Sequence, residues 1–333
     1  MIVKAAPPRK DRMTRYLHRK YMPAAFLVCA LTALLLVSCG GPDEPGGSND
    51  GTPLPNPAID RSEDPWKIVV TLPLFAEMAR EMGGDQVSVT TLIPPGEDPH
   101  TYVPDEILAT AVDEADIVFV NGLGLDQPAI DFIEEHRPPR RFFLVDIVRN
   151  VPSPSTEQPL GGRPIYAKEA GDEPHLWMDP VLARIYVETI EHSLVIIDGL
   201  NESFYDARFA VYKTRLQELD ATMAAEMEKV PPENRSLIVS YHGSLIHFAN
   251  RYGLEIAGTL QEEGEEGLRA IIESERPPAI FGEFGFDDSA LRVLADEAEI
   301  EICELNTDSV EDGVSYFEMV ERNAEQLVTC LGG

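Results

Sequence analysis

Residues 67–93 read KIVVTLPLFAEMAREMGGDQVSVTTLI, and the order of patterns inside this stretch decides the fold class. Lys67–Leu72 and Gln86–Ile93 are β-branched runs of strand length, and Leu74–Met82 between them carries apolar residues at helical spacing. Strand, helix and strand in so short a span form a βαβ unit, whose strands lie parallel with the helix packed on the sheet. The alternation continues through strands Ile117–Asn121 and Phe142–Val148, with helices Asp105–Glu114 and Pro128–His136 between them. It returns further on as strands Ser236–Tyr241, Leu254–Leu260, Ala279–Phe284 and Glu299–Leu305, separated by helices Ser244–Tyr252, Gly267–Glu273 and Ser289–Glu297. Helix Tyr316–Leu331 closes the chain.

Between the two sets, residues 180–230 carry no strand signal. ARIYVETIEHSLVIID and SFYDARFAVYKTRLQELDATMAAEMEKV are both helical in pattern, with Asp179 as N-cap before Pro180 and Pro231-Pro232 as the stop. The expected fold is α/β: two (βα)-type lobes with mainly parallel sheets, joined by a long helix. The N-terminal lobe is expected over residues 66–179, the helical connector over 180–230 and the C-terminal lobe over 231–333. Such sheets bind ligands outside the carboxyl ends of their strands, which places a site in the cleft between lobes.

The chain has 333 residues, 44% hydrophobic and 26% charged, so it holds enough apolar material to exclude disorder over its whole length. Its 27 basic and 58 acidic residues give a net charge of -31. A surface so negative repels phosphate backbones and excludes nucleic acid as a partner, while it attracts cations. Residues 1–38 hold seven of the basic residues and one acidic residue, which leaves 20 basic against 57 acidic and a charge of -37 beyond them.

That basic start is followed by an apolar run of 14 residues, Ala24–Val37, too short to span a bilayer, which takes about 20. A basic segment ahead of a short apolar one reads as a secretory signal, here residues 1–38. The run ends Leu36-Val37-Ser38-Cys39-Gly40, which resembles a bacterial lipobox, so Cys39 is the expected lipidated residue. Residues 39–65, rich in Gly, Pro, Asn and Asp, read as a flexible tether between a membrane anchor and the folded part. The expected location is the cell envelope, lipid-anchored to the outer face of the cytoplasmic membrane. Cys303 and Cys330 remain, and in an oxidising compartment they are either a disulfide or two buried thiols.

Three of the seven histidines stand beside element ends: His100 after a Pro-rich loop, His175 in EPHLWMDP, and His242 at the end of strand Ser236–Tyr241. Neutral imidazole is a preferred ligand for zinc and similar ions, and three at equivalent topological positions point to a shared metal. No pair has the H-x-x-x-H spacing of a zincin protease.

The strings GEDPHTY, EPHLWMDP, SYHGSLIHFANRYGL and NTDSVEDGVSYFEMVERN resemble, in order and spacing, the zinc/manganese-binding solute receptors of bacterial ABC importers. The resemblance runs from about Trp66 to Leu331. It implies two α/β lobes joined by a long helix, and a metal held by His100, His175, His242 and Asp308. It also implies Zn²⁺ or Mn²⁺ as the transported ligand, an importer permease as partner, a monomer, and no enzymatic activity. Glu304 is the acidic competitor of Asp308. His247, five residues past His242, is expected to be a packing or supporting residue. The stretch Pro152–Asp172 lacks the His-rich loop of many zinc-specific members, whereas His rather than Glu at the third ligand favours zinc. The acidic run Gln261–Glu266 reads as a solvated loop.

Three neutral imidazoles and one carboxylate fill a four-coordinate sphere, whereas catalytic zinc keeps a position open for water. That favours capture and release. The alternative is an envelope zinc-dependent hydrolase on the same histidines, with Asp308 or Glu304 as base. A receptor for chelated iron or corrinoid ranks last, since it would want Arg and aromatic residues in the cleft.

Overall fold

The computed structural model describes residues 63–137, 143–146, 173–235, 238–309 and 311–332. The signal segment, Cys39, nearly all of the tether and the stretch Pro152–Asp172 lie outside the described residues. Among the described residues, the expected alternation is present with all eight strands. The first half runs β1 (Trp66–Val70), α1 (Pro73–Gly83), β2 (Val87–Thr91), α2 (Ala109–Glu114), β3 (Ile117–Val120), α3 (Gln127–His136) and β4 (Phe143–Asp146). Two helices follow, α4 (Pro180–Ile197) and α5 (Glu202–Met227). The second half runs β5 (Ile238–Ser240), α6 (Ile246–Tyr252), β6 (Ile256–Thr259), α7 (Leu260–Glu275), β7 (Ala279–Glu283), α8 (Ser289–Ala298), β8 (Glu301–Leu305) and α9 (Tyr316–Cys330).

Each half forms a four-stranded sheet, ordered β2-β1-β3-β4 and β6-β5-β7-β8, and every pairing is parallel. The two orders are the same when each half is counted from its own first strand. The inner strands β3 (IVFV) and β7 (AIFGE) are buried along their whole length, as expected when helices cover both faces of a parallel sheet. In each sheet the chain direction across the strands reverses beside the first strand, and the carboxyl ends there open the crevice where ligands sit.

Helix α4 begins as its residues require. Asp179 Oδ1 accepts from the Val181 N–H at 2.8 Å, and Pro180 occupies the first turn, where no donor is needed. It packs on α1, with Tyr186 stacked on Phe75 at 5.2 Å between ring centroids. Helix α5 buries Tyr205, Tyr212, Leu216, Leu219, Met223 and Met227 and packs against α4, α9, α1 and α6. One apolar cluster therefore extends from Phe75 and Trp177 through Tyr212 to Phe317 and Leu327.

The acidic run Gln261–Glu266 is not a loop: it forms the first turns of α7, with a kink at Gly264 (φ 65°). Thr259 caps this helix by accepting from the Glu262 N–H at 3.2 Å, and carboxylates in a first turn are favoured by the helix dipole. In the C-terminal half, Cys303 of β8 and Cys330 of α9 are joined by a disulfide, with Cα atoms 6.7 Å apart. It closes a ring spanning 27 positions that contains Asp308. Loop-closure entropy predicts that Cys303→Ser with Cys330→Ser lowers stability by about 3–4 kcal/mol. Urea midpoints of the wild type with and without reductant check this; a midpoint indifferent to reductant would show unpaired thiols in solution.

Candidate metal centre

The four residues expected as ligands come from four loops at the carboxyl ends of the two sheets. His100 lies beyond β2 in a loop shaped by Asp98, whose Oδ1 accepts from the His100 N–H at 2.8 Å and whose Oδ2 accepts from the Thr101 hydroxyl at 3.0 Å. His175 precedes a 3₁₀ turn at Leu176–Met178 that leads into α4. Its approach is fixed from the first sheet: Asn121 Nδ2 donates to the Pro174 carbonyl at 3.2 Å, and the Tyr186 hydroxyl donates to Asn121 Oδ1 at 2.9 Å. Asp126 holds Asn121 in turn, accepting from the Asn121 and Gly122 N–H groups and from the Thr71 hydroxyl. His242 follows β5, and Asp308 follows β8.

These side chains meet around the Asp308 carboxylate. Its Oδ1 lies 2.9 Å from His175 Nε2, and its Oδ2 lies 3.1 Å from His242 Nε2 and 3.3 Å from His100 Nε2. The His175 and His242 Nε2 atoms are 3.2 Å apart. One donor atom from each of the four residues falls within 4.8 Å of all the others. A tetrahedron with metal–ligand bonds of about 2.0–2.1 Å has edges of about 3.3–3.4 Å, and the separation of 3.2 Å between the His175 and His242 Nε2 atoms is close to that length. His100 Nε2 and Asp308 Oδ1 are buried with no well-aligned hydrogen bond among the described residues, as atoms intended for a cation would be.

The other ring nitrogens of His175 and His242 are committed. His175 Nδ1 pairs with Glu173, and His242 Nδ1 with Glu283 Oε1 at 3.0 Å. A carboxylate only accepts, so both Nδ1 atoms carry the proton and both Nε2 atoms face the centre. Neither glutamate was singled out from the sequence. The available signals were a Glu two residues before a candidate ligand, and a lone carboxylate at the carboxyl end of the otherwise apolar β7.

The remaining candidates lie elsewhere. Glu304 is exposed on β8, outside the cluster. His247 is buried and donates from Nε2 to the Glu173 carbonyl at 3.2 Å, so it supports the segment leading to His175. His136 bonds the Phe132 carbonyl and Glu106, and His192 is exposed. A cavity of about 190 Å³ opens onto the cluster, lined by His100, Leu123, Glu173, His175, His242 and Glu262 among others. Pockets for drug-sized ligands run from about 300 Å³ upward, so the cavity is small for a corrinoid.

Residues 68–330 match the family described as ZnuA, the periplasmic component A of a zinc-uptake complex. The chain belongs to this family. Its members are transport receptors rather than enzymes, and a hydrolase on the same histidines has no support. The manganese-binding lipoprotein MntA of Halalkalibacterium halodurans is 28% identical over 317 residues, covering 91% of this chain and 97% of its own. The iron ABC transporter substrate-binding lipoprotein MtsA of Streptococcus pyogenes serotype M1 is 26% identical over 320 residues, covering 89% and 94%. The periplasmic zinc binding protein TroA from Treponema pallidum has a similar structure, with a TM-score of 0.69 at 24% identity over 80% of this chain and 99% of that one. It shares the fold of two lobes.

Electrostatics tie the cluster to pH. Burial pulls the His175 pKa down, but Asp308 and Glu173 outweigh it and raise it to about 9. The same balance, with burial opposed by Asp308 and Glu283, raises His242 to about 11. Burial pushes Asp308 up, yet His175, His100 and His242 hold it well below the usual carboxylate range. The imidazole contribution to folding is therefore complete below the ordinary value of 6.5 and is lost as pH rises through 9 to 11. The Asp308 contribution is present above its ordinary value of 3.8 and is lost as pH falls through the lowered one. Near neutrality a metal must displace the imidazole protons, so Zn²⁺ binding should release up to about two protons per ion and tighten from pH 6 to pH 8. Calorimetry in buffers of different ionisation enthalpy measures the release; heats independent of buffer would show imidazoles already neutral.

Proposed function

We propose that this protein is an extracytoplasmic receptor that captures a divalent transition metal through His100, His175, His242 and Asp308 and delivers it to an ABC importer permease. The observation that carries this reading is the set of four donors from four loops, all within 4.8 Å of one another, in a chain of the zinc-uptake family. Zn²⁺ is the favoured cargo and Mn²⁺ the next: three imidazoles and one carboxylate form a tetrahedral nitrogen-rich set, whereas manganese prefers more oxygen ligands. Three neutral imidazoles and one ligating carboxylate leave a divalent ion with one net positive charge, which Glu173 and Glu283 offset from behind the ligands.

Residues 1–38 direct export, Cys39 carries the lipid after cleavage, and residues 39–65 tether a monomeric two-lobed receptor to the outer face of the cytoplasmic membrane. The relatives named as lipoproteins support the anchor. The mature chain's negative charge draws cations toward the membrane face where a permease would receive them.

Titration of the metal-stripped protein with Zn²⁺ and then Mn²⁺ should give one tight site per chain, with Zn²⁺ the tighter. His175→Ala should weaken it by at least 100-fold, since the remaining three donors leave an incomplete sphere. Absence of binding by the wild type would end the receptor reading. For the anchor, Cys39→Ser should move the protein from the detergent phase to the aqueous phase in temperature-induced phase partition; retention in the detergent phase would assign the anchor to another segment.

A further inference from the structure

We infer that Glu283 is the positioning residue of the metal centre, one buried carboxylate that sets His242 and the Asp308 loop against each other before the ion arrives. The inference rests on the receptor reading and adds to it a residue that touches no metal. Its basis is the parallel register of the second sheet. Ser240 of β5 lies opposite Phe281 of β7, and Glu283 lies opposite Leu305 of β8. Two residues beyond Ser240 is His242, and two beyond Leu305 is Thr307. Glu283, on the strand between them, thus leaves the sheet flanked by both ligand loops.

Both of its oxygens are used. Oε1 accepts from the His242 backbone N–H at 3.0 Å and from His242 Nδ1–H at 3.0 Å. Oε2 accepts from the Ser244 hydroxyl at 2.8 Å and from the Thr307 hydroxyl. Four donors are what a carboxylate at 2% exposure needs, since no Arg or Lys is among its partners in the described residues. With its oxygens occupied and outside the cluster of donors, Glu283 acts through its neighbours.

Each contact fixes a different variable. The pair of bonds from His242 sets the rotation of the ring and its tautomer, so that Nε2 faces the centre. The Thr307 bond anchors the residue next to Asp308, and the Thr307 carbonyl accepts from Trp177 Nε1 at 2.9 Å, two residues past His175. A single side chain therefore governs the separation of His242 from Asp308, a 3.1 Å approach of Nε2 to Oδ2. Glu173 differs: its carboxylate pairs with His175 alone among the ligands, and its side chain remains 17% exposed.

The test uses the full metal-stripped chain and two substitutions. Glu283→Gln keeps the shape and removes the charge. Thr307→Val leaves the Glu283–His242 pair and frees only the Asp308 loop. Zn²⁺ affinity is read by competition with a chromophoric chelator, and site geometry by the visible absorption of bound Co²⁺. Glu283→Gln should weaken Zn²⁺ by about 10–100-fold and alter the Co²⁺ band positions and intensity. Thr307→Val should shift the Co²⁺ spectrum in a protein that unfolds at nearly the wild-type temperature. A folded Glu283→Gln protein within two-fold of wild-type affinity and with an unchanged Co²⁺ spectrum would overturn the inference. If that variant does not fold, an unchanged spectrum and affinity in Thr307→Val would do the same. Wild-type protein that takes up neither ion would overturn the receptor reading itself, which separates the two failures.

Discussion

Asp308 has no exposed side-chain surface and, among the described residues, no ion pair with Lys or Arg; its charge is met by three imidazoles. A carboxylate cannot stay ionised in such a place without positive charge or a full set of donors. Here the positive charge comes from His175 and His242, whose raised pKa values are the counterpart of the lowered one on Asp308. Protons and a divalent ion compete for the same nitrogens, so the centre keeps one sign of charge balance whether protons or metal hold it. That exchange spares the carboxylate from burial without a partner and lets the ligands remain near their binding geometry.

The arrangement depends on two sheets with the same strand order placing their carboxyl ends toward one cleft. His100 and His175 come from the half built on β1–β4, and His242 and Asp308 from the half built on β5–β8. The second pair is fixed inside its own sheet through Glu283, between adjacent strands. The first pair is held less directly: His175 through Asp126, Asn121 and Tyr186, and His100 through the turn at Asp98. A bond from the Gly96 N–H to Ser309 Oγ at 2.6 Å joins the His100 loop to the residue after Asp308.

Much of this was legible from residue patterns, and the exceptions have physical reasons. Parallel strands could be read because β-branched runs such as Lys67–Leu72 alternate with amphipathic helices at short intervals. His100, His175 and His242 stood out because each sits where a strand or loop ends against Pro or Gly. Asp308 came from likeness to known receptors, since an Asp before a helix satisfies ordinary turn chemistry equally well. Glu283 stayed hidden because its function depends on strand neighbours 41 and 24 residues away in sequence. Gln261–Glu266 was misread through its charge density and glycines, although Thr259 and Glu262 have the spacing of a capping box.

The core sets limits on how a metal enters and leaves. On the proposed reading, four ligands divided equally between the halves would make the ion a bridge, and parting the halves would halve its coordination. Yet the apolar cluster runs without a break across both, and the Tyr316 hydroxyl donates to the Trp177 carbonyl at 2.8 Å from one half to the other. Trp177 and Tyr316 are nearly or wholly inaccessible, and an aromatic side chain buries about 150–250 Å², equivalent to about 4–6 kcal/mol at 25 cal/mol per Å². Wide separation that wetted even two such rings would cost most of the stability of an ordinary domain, about 5–15 kcal/mol. Exchange at the rim avoids that cost. His100 is the candidate ligand there, with 28% of its side chain exposed against 0–4% for the other three, and its loop is bonded to Ser309 through Gly96. The cluster is therefore buried on three sides and accessible on the fourth, which suits the proposed cycle of capture and release.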